Sequence, residues 1–195
     1  MSAVMPSSAT RTHAANRFST PMLVLHWLIF VLMAAAYATM EFRGLVPREG
    51  RFAMRAAHYS LGLAVLALVL VRIAMRRSHG APPIVPAPSA LNAAAAKAGH
   101  LALYVLMIVL PVLGWLAYGA EGRVVAPFGV PLPMPIAPNQ DWVKPLEGAH
   151  EIAGKIGYVL VGLHAAAALW HHYFVRDNTL ALMWPPAGRG GRSSA

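Results

Sequence analysis

The chain has no cysteine among its 195 residues. Disulfides, thiolate metal centres, iron–sulfur clusters and the Cys-x-x-Cys-His attachment of c-type haem are therefore excluded, and any redox group must be held by other ligands. Charge is the second shortage. Only 12% of residues are Asp, Glu, Lys or Arg, against about 25% in an ordinary soluble domain. The apolar share is 57% and the mean hydropathy +0.53, and long stretches carry almost no charge at all. A polytopic membrane protein follows. Acid is scarcer than base, seven residues against sixteen, for a net charge of +9. The bases flank apolar runs, so anionic lipid headgroups account for most of them, and nucleic acid is not an expected partner.

Four apolar runs stand out, each near the ~20 residues that a helix needs to cross ~30 Å of hydrocarbon. They are about Pro21–Met40, Ala56–Val71, Gly99–Gly119 and Ile152–Val175, the last belonging to a helix counted from residue 150. Backbone groups in lipid can be satisfied only within the segment, so the expected fold is all-α, an integral membrane bundle of four transmembrane helices. The first run is longer than the apolar core of a signal peptide and carries His26 and Trp27, so it is expected to be retained. Residues 1–20 are expected as a polar tail, 21–184 as the membrane domain and 185–195 as a flexible tail. Between the helices, 41–55 is basic and bears Gly and Pro, and 73–98 contains Pro82-Pro83-Ile84-Val85-Pro86, an extended linker. Residues 120–149 hold five prolines from Pro127 to Pro138 and are expected as a loop capping one face.

Four spans place both termini on one side. That side carries nine bases (Arg11, Arg17, Arg72, Arg76, Arg77, Lys97, Arg176, Arg189, Arg192), and the other seven (Arg43, Arg48, Arg51, Arg55, Arg123, Lys144, Lys155). The positive-inside rule then favours cytoplasmic termini. Six of the seven acids lie on the opposite side, Asp177 being the exception.

Against this poverty of charge there are nine histidines. Seven of them, His26, His58, His100, His150, His164, His171 and His172, fall in or at the ends of the spans. An ionisable group in a bilayer is costly and usually has a use. Any one of them is explained by a hydrogen bond between helices or by an interfacial position, but the joint pattern points further. Neutral imidazole ligates haem iron, and a six-coordinate b-type haem takes two facing nitrogens. His26 is nine residues from Arg17 and His164 twelve from Arg176, depths of roughly 13 and 18 Å. His58 lies three residues past Arg55, and His150 sits at the mouth of helix four beside Glu151. Two pairs result, His26 with His164 and His58 with His150. The fourteen residues from His150 to His164 turn to within about 40° of four full turns and span roughly 21 Å, so one face of helix four serves both pairs. His171 is the alternative to His164. Gly62, Gly154, Gly157 and Gly162, with Ala165 to Ala168, leave room for a porphyrin or for close helix packing. A zinc site is disfavoured, because adjacent His171 and His172 point to different helix faces.

The chain resembles the bacterial cytochrome b-561 family, in particular its small di-haem superoxide-oxidising type. The resemblance is carried by His26-Trp27, by Tyr37 through Gly44, by Pro82 to Pro86, by Gly99-His100-Leu101, and most strongly by Gly157 to Ala168 continuing through His171-His172-Tyr173-Phe174 and Asp177 to Leu180. It covers about residues 17–184. It implies two b-type haems with His26, His58, His150 and His164 as axial ligands, a bacterial inner membrane, and electrons passing from periplasmic superoxide to membrane ubiquinone without an obligatory protein partner. Arg43, Arg55, Lys144 and Lys155, with Arg48 and Arg51, lie on the His58–His150 side and suit attraction of a small anion as well as headgroup anchoring. His100, His171 and His172 are candidate proton donors at a quinone site, because imidazole titrates near neutrality. The competing expectations are a relay subunit for a hydrogenase or dehydrogenase, and a transporter using histidines as a proton relay.

Overall fold

The computed structural model describes residues 17–184. Nearly all of the expected N-terminal tail and the expected C-terminal tail lie outside the described residues. Four long helices carry the structure: α1 (Thr20–Glu41), α2 (Gly50–His79), α3 (Ala90–Ala120) and α4 (Gln140–Trp170), followed by a short α5 (Thr179–Met183). Each is long and apolar enough to cross a membrane except α5, and among the described residues there is no strand.

Local chemistry sets the ends. Pro21 opens α1, where its missing N–H costs nothing. Ser89 caps α3 by accepting the Asn92 N–H, and Asn139 caps α4 by accepting the Asp141 N–H. Gly80, at φ +68°, closes α2 in a conformation that suits glycine. α4 loosens into a π-helical turn (His171–Val175) and is stopped by Arg176 in the left-handed region.

The helices are longer than the apolar runs. α2 begins at Gly50 rather than near residue 56 and continues to His79; α3 begins at Ala90 rather than Gly99; α4 begins at Gln140. The expected connections 41–55, 73–98 and 120–149 shrink accordingly. Hydropathy marks only the part of a helix that lies in lipid, whereas a capped polar end continues into the interface. Pro111 and Pro145 lie inside α3 and α4, each forfeiting one backbone hydrogen bond. One consequence is a correction for His150, which stands ten residues inside α4 and not at its mouth.

α1 packs on α2, α3 on α4, and α2 joins the two hairpins through α3. Ile29, Val65 and Val69 form the buried centre, with Leu32, Met33, Leu68, Tyr104, Met107 and Ile108 around it. Val24, Phe30, Leu101, Val159 and Leu163 face outward, as expected where lipid is the solvent. α1 and α4 approach one another mainly through side chains that reach across. Near one end, Tyr37 donates to Gly154 O at 2.9 Å, and its ring lies 4.4 Å from that of Tyr158. At the other, α5 is tied down by Trp27 Nε1 donating to Met183 O at 2.9 Å. Asn178 holds the Pro83–Val85 linker by accepting the Val85 N–H and donating to Pro83 O.

Candidate functional site

The expected histidine pairs meet in space. The ring centroids of His58 (α2) and His150 (α4) are 5.9 Å apart, and those of His26 (α1) and His164 (α4) 6.2 Å apart. Twice an imidazole–metal bond of about 2.0–2.1 Å plus the two ring radii comes to roughly 6.3–6.5 Å, so each pair would need to open by only a few tenths of an ångström to share a metal. His58 Nδ1 donates to Ala36 O at 2.9 Å, and His150 Nδ1 donates to Leu110 O at 2.9 Å. A carbonyl accepts only, so Nδ1 carries the proton in each ring and Nε2 keeps its lone pair, as a ligating imidazole requires.

Both rings line a cavity of about 640 Å³ between all four helices, within the ~300–1,000 Å³ of small-molecule and cofactor sites. Its inner walls are apolar, built from Met33, Ala36, Leu106, Met107 and Leu110, and Gly62 and Gly154 leave space where side chains would stand. Gly114 sits against the His150 ring: a Cβ there would lie 3.0 Å from Cε1. Trp115 Nε1, buried in a lining residue, has no hydrogen-bond partner among the described residues. A planar, metal-bearing ring with acidic substituents fits this set: two lone-pair nitrogens, an apolar slot and an unspent donor.

The mouth of the cavity is charged. Arg43, Arg55 and Lys155 line it together with Glu41, Glu121, Glu147 and Glu151. Lys155 is paired with Glu151 at 2.7 Å and Lys144, which does not line the cavity, with Glu147 at 3.0 Å. Arg43 and Arg55 form no ion pair among the described residues. Tyr158 donates to Glu41 at 2.7 Å across the α1–α4 seam.

At the other end His100 joins the His26–His164 pair, its ring 5.7 Å from that of His164. His171 is directed elsewhere, to the buried Asp177 carboxylate, and His172 is exposed beside Tyr173. Burial pushes the Asp177 carboxyl up, but the His171 contact and the Thr179 N–H outweigh it, and the net displacement is downward. Gly114, Trp115, Glu41 and Arg72 belong to these sites, and no spacing rule singles them out. Tyr37 and Tyr158 fall in the family-like stretches, which say nothing of their contact.

Comparison with known proteins agrees with this architecture. A family profile described as prokaryotic cytochrome b561 matches residues 17–186. The chain belongs to that family. It is 36% identical to the probable superoxide oxidase CybB of Yersinia pestis over 170 residues, covering 87% of this chain and 97% of the relative. It is also 36% identical to cytochrome b561 homolog 1 of Escherichia coli (strain K12), covering 87% and 98%. To cytochrome b562 of Cereibacter sphaeroides it is 31% identical, covering 84% and 92%. As a prokaryotic cytochrome b561, the chain is a bacterial multi-pass membrane cytochrome that binds b-type haem and transfers electrons.

Proposed function

We propose that this cytochrome b561 takes electrons from superoxide and delivers them to ubiquinone through two b-type haems, one between His58 and His150 and one between His26 and His164. The observation that carries the reading is the pairing of four imidazoles at two levels, with α4 supplying one member of each pair. The His58–His150 cavity opens beside Arg43 and Arg55, two cations with no ion-pair partner among the described residues. They draw in a small anion, whereas Lys144 and Lys155 are neutralised by their own glutamates. When bound, haem supplies a one-electron acceptor at each level. Superoxide gives up one electron and leaves as dioxygen. Two such electrons and two protons convert one quinone to quinol. The chain positions the rings through Ala36 O and Leu110 O, and excludes water with the apolar walls.

Quinone reduction is assigned to the His26–His164 end, where His100 stands against the His164 ring and is the proposed proton holder; His171 is turned to Asp177 and His172 faces outward. In this reading superoxide is met in the periplasm, both termini lie in the cytoplasm of a bacterium's inner membrane, as the nine-to-seven split of basic residues favours, and no protein partner is required. The name of the Yersinia relative supports the donor. Purified protein supplied with superoxide and a ubiquinone is expected to form quinol unaided. Intact haems without quinol formation would favour a relay subunit that needs a partner. His58→Ala and His164→Ala are each expected to lose one of two haems; retention of both in either variant rules out the pairing.

A further inference from the structure

Arg72 is a charge inside the bundle. It lies on α2 among apolar residues, 7% exposed. Its Nη1 donates to Met22 O at 2.8 Å, and no carboxylate among the described residues forms an ion pair with it. Met22 is four residues before His26 on α1, so the two share a helix face one turn apart. Asp177 is the acid on this side of the bundle, and it is committed to His171 and Thr179. A guanidinium cannot shed its proton to escape burial. A buried cation with one carbonyl partner is strongly unfavourable unless an anion completes it.

We infer that Arg72 is the counter-charge for a propionate carboxylate of the haem at the His26–His164 level, and that it makes this haem the preferred resting place of the electron. The inference rests on the ligand pairing proposed above. A fixed positive charge close to an iron favours the ferrous form, which carries one positive charge fewer. Arg72 stands near one pair, whereas the His58–His150 cavity lining contains Arg55 and Arg43 only at its charged mouth, among four glutamates. The asymmetry biases electrons from the His58–His150 level to the His26–His164 level, the direction in which they must travel to reach a quinone at the His26–His164 end.

The test is a spectroelectrochemical titration of the whole two-haem protein. The component lost in His164→Ala identifies the haem in question. In Arg72→Gln the ferrous-to-ferric ratio of that component, at fixed ambient potential, is expected to fall about tenfold, equivalent to about 59 mV for a one-electron couple. The other component stays in place. Arg72→Lys keeps the charge without the planar fork and is expected to recover most of the ratio, which a merely structural role would not predict. If Arg72→Gln does not fold, Arg72→Lys serves instead: an unmoved potential in Arg72→Lys supports the charge, and a loss as large as expected for neutralisation overturns it. Unchanged potentials in a folded Arg72→Gln protein that melts earlier would reduce Arg72 to a staple between α2 and α1 and overturn the inference. Retention of both haems in His164→Ala would instead overturn the ligand pairing itself, and this inference with it.

Discussion

The imidazole of His150 occupies the space that any side chain at residue 114 would need: a Cβ on Gly114 would stand 3.0 Å from its Cε1 and 3.1 Å from its Nδ1. The contact joins α3 to α4 at the point where Leu110 O fixes the ring. Gly114→Leu is therefore expected to displace the ring and to lose one of the two proposed haems, counted by pyridine haemochromogen against protein. Gly148→Ala is the control. It lies outside the cavity lining and its Cβ would meet nothing within 4 Å, and both haems are expected to remain.

A second close approach holds the α1–α4 seam. A Cβ on Gly157 would collide with the Tyr37 hydroxyl, the group that donates to Gly154 O. Gly157→Ala is expected to destabilise the protein by about 1–3 kcal/mol, as overpacking commonly does. The double variant Gly157→Ala, Tyr37→Phe removes the colliding oxygen and is expected to regain part of that loss, measured by thermal melting in detergent.

Arg43 and Arg55, at the cavity mouth and without an ion pair among the described residues, should govern encounter with superoxide. Arg43→Glu and Arg55→Glu are each expected to lower the second-order rate roughly tenfold at low ionic strength, with the difference shrinking as salt screens the field. Lys144→Glu, at an exposed pair outside the cavity lining, is expected to leave the rate within about twofold, in keeping with the small weight of surface pairs. Stopped-flow haem reduction across a salt series checks both.

Asp177 anchors the π-helical turn after α4 through His171 and the Thr179 N–H. Its folded carboxyl titrates below the unfolded value. The stability it contributes is thus fully present above the unfolded range of about pH 4, and disappears as pH falls through the folded value. Wild type should exceed Asp177→Asn in melting temperature at pH 5, and the margin should close as the medium is made more acid than about pH 4.

The number of spans was legible because lipid-crossing segments announce themselves by apolar length, and the pairing of His26 with His164 and His58 with His150 in space followed from depth and helical angle. The depth of His150 within α4 was not legible. Gln140 to Ala149 is polar and follows five prolines, and hydropathy cannot distinguish a capped interfacial helix from a loop. Gly114 and Trp115 were also invisible. Their importance lies in what faces them from α4 and in an N–H left unspent, and neither is a property of their neighbours in the chain. Arg72 read as a boundary charge that ended the second run; in the structure α2 carries it into the interior and continues to His79.

The helices form two hairpins, α1–α2 and α3–α4, hinged along α2 and α3. Each proposed histidine pair takes one member from each hairpin, so a haem held by either pair would join the two hairpins across the same seam that the Tyr158–Glu41 and Tyr37–Gly154 hydrogen bonds close.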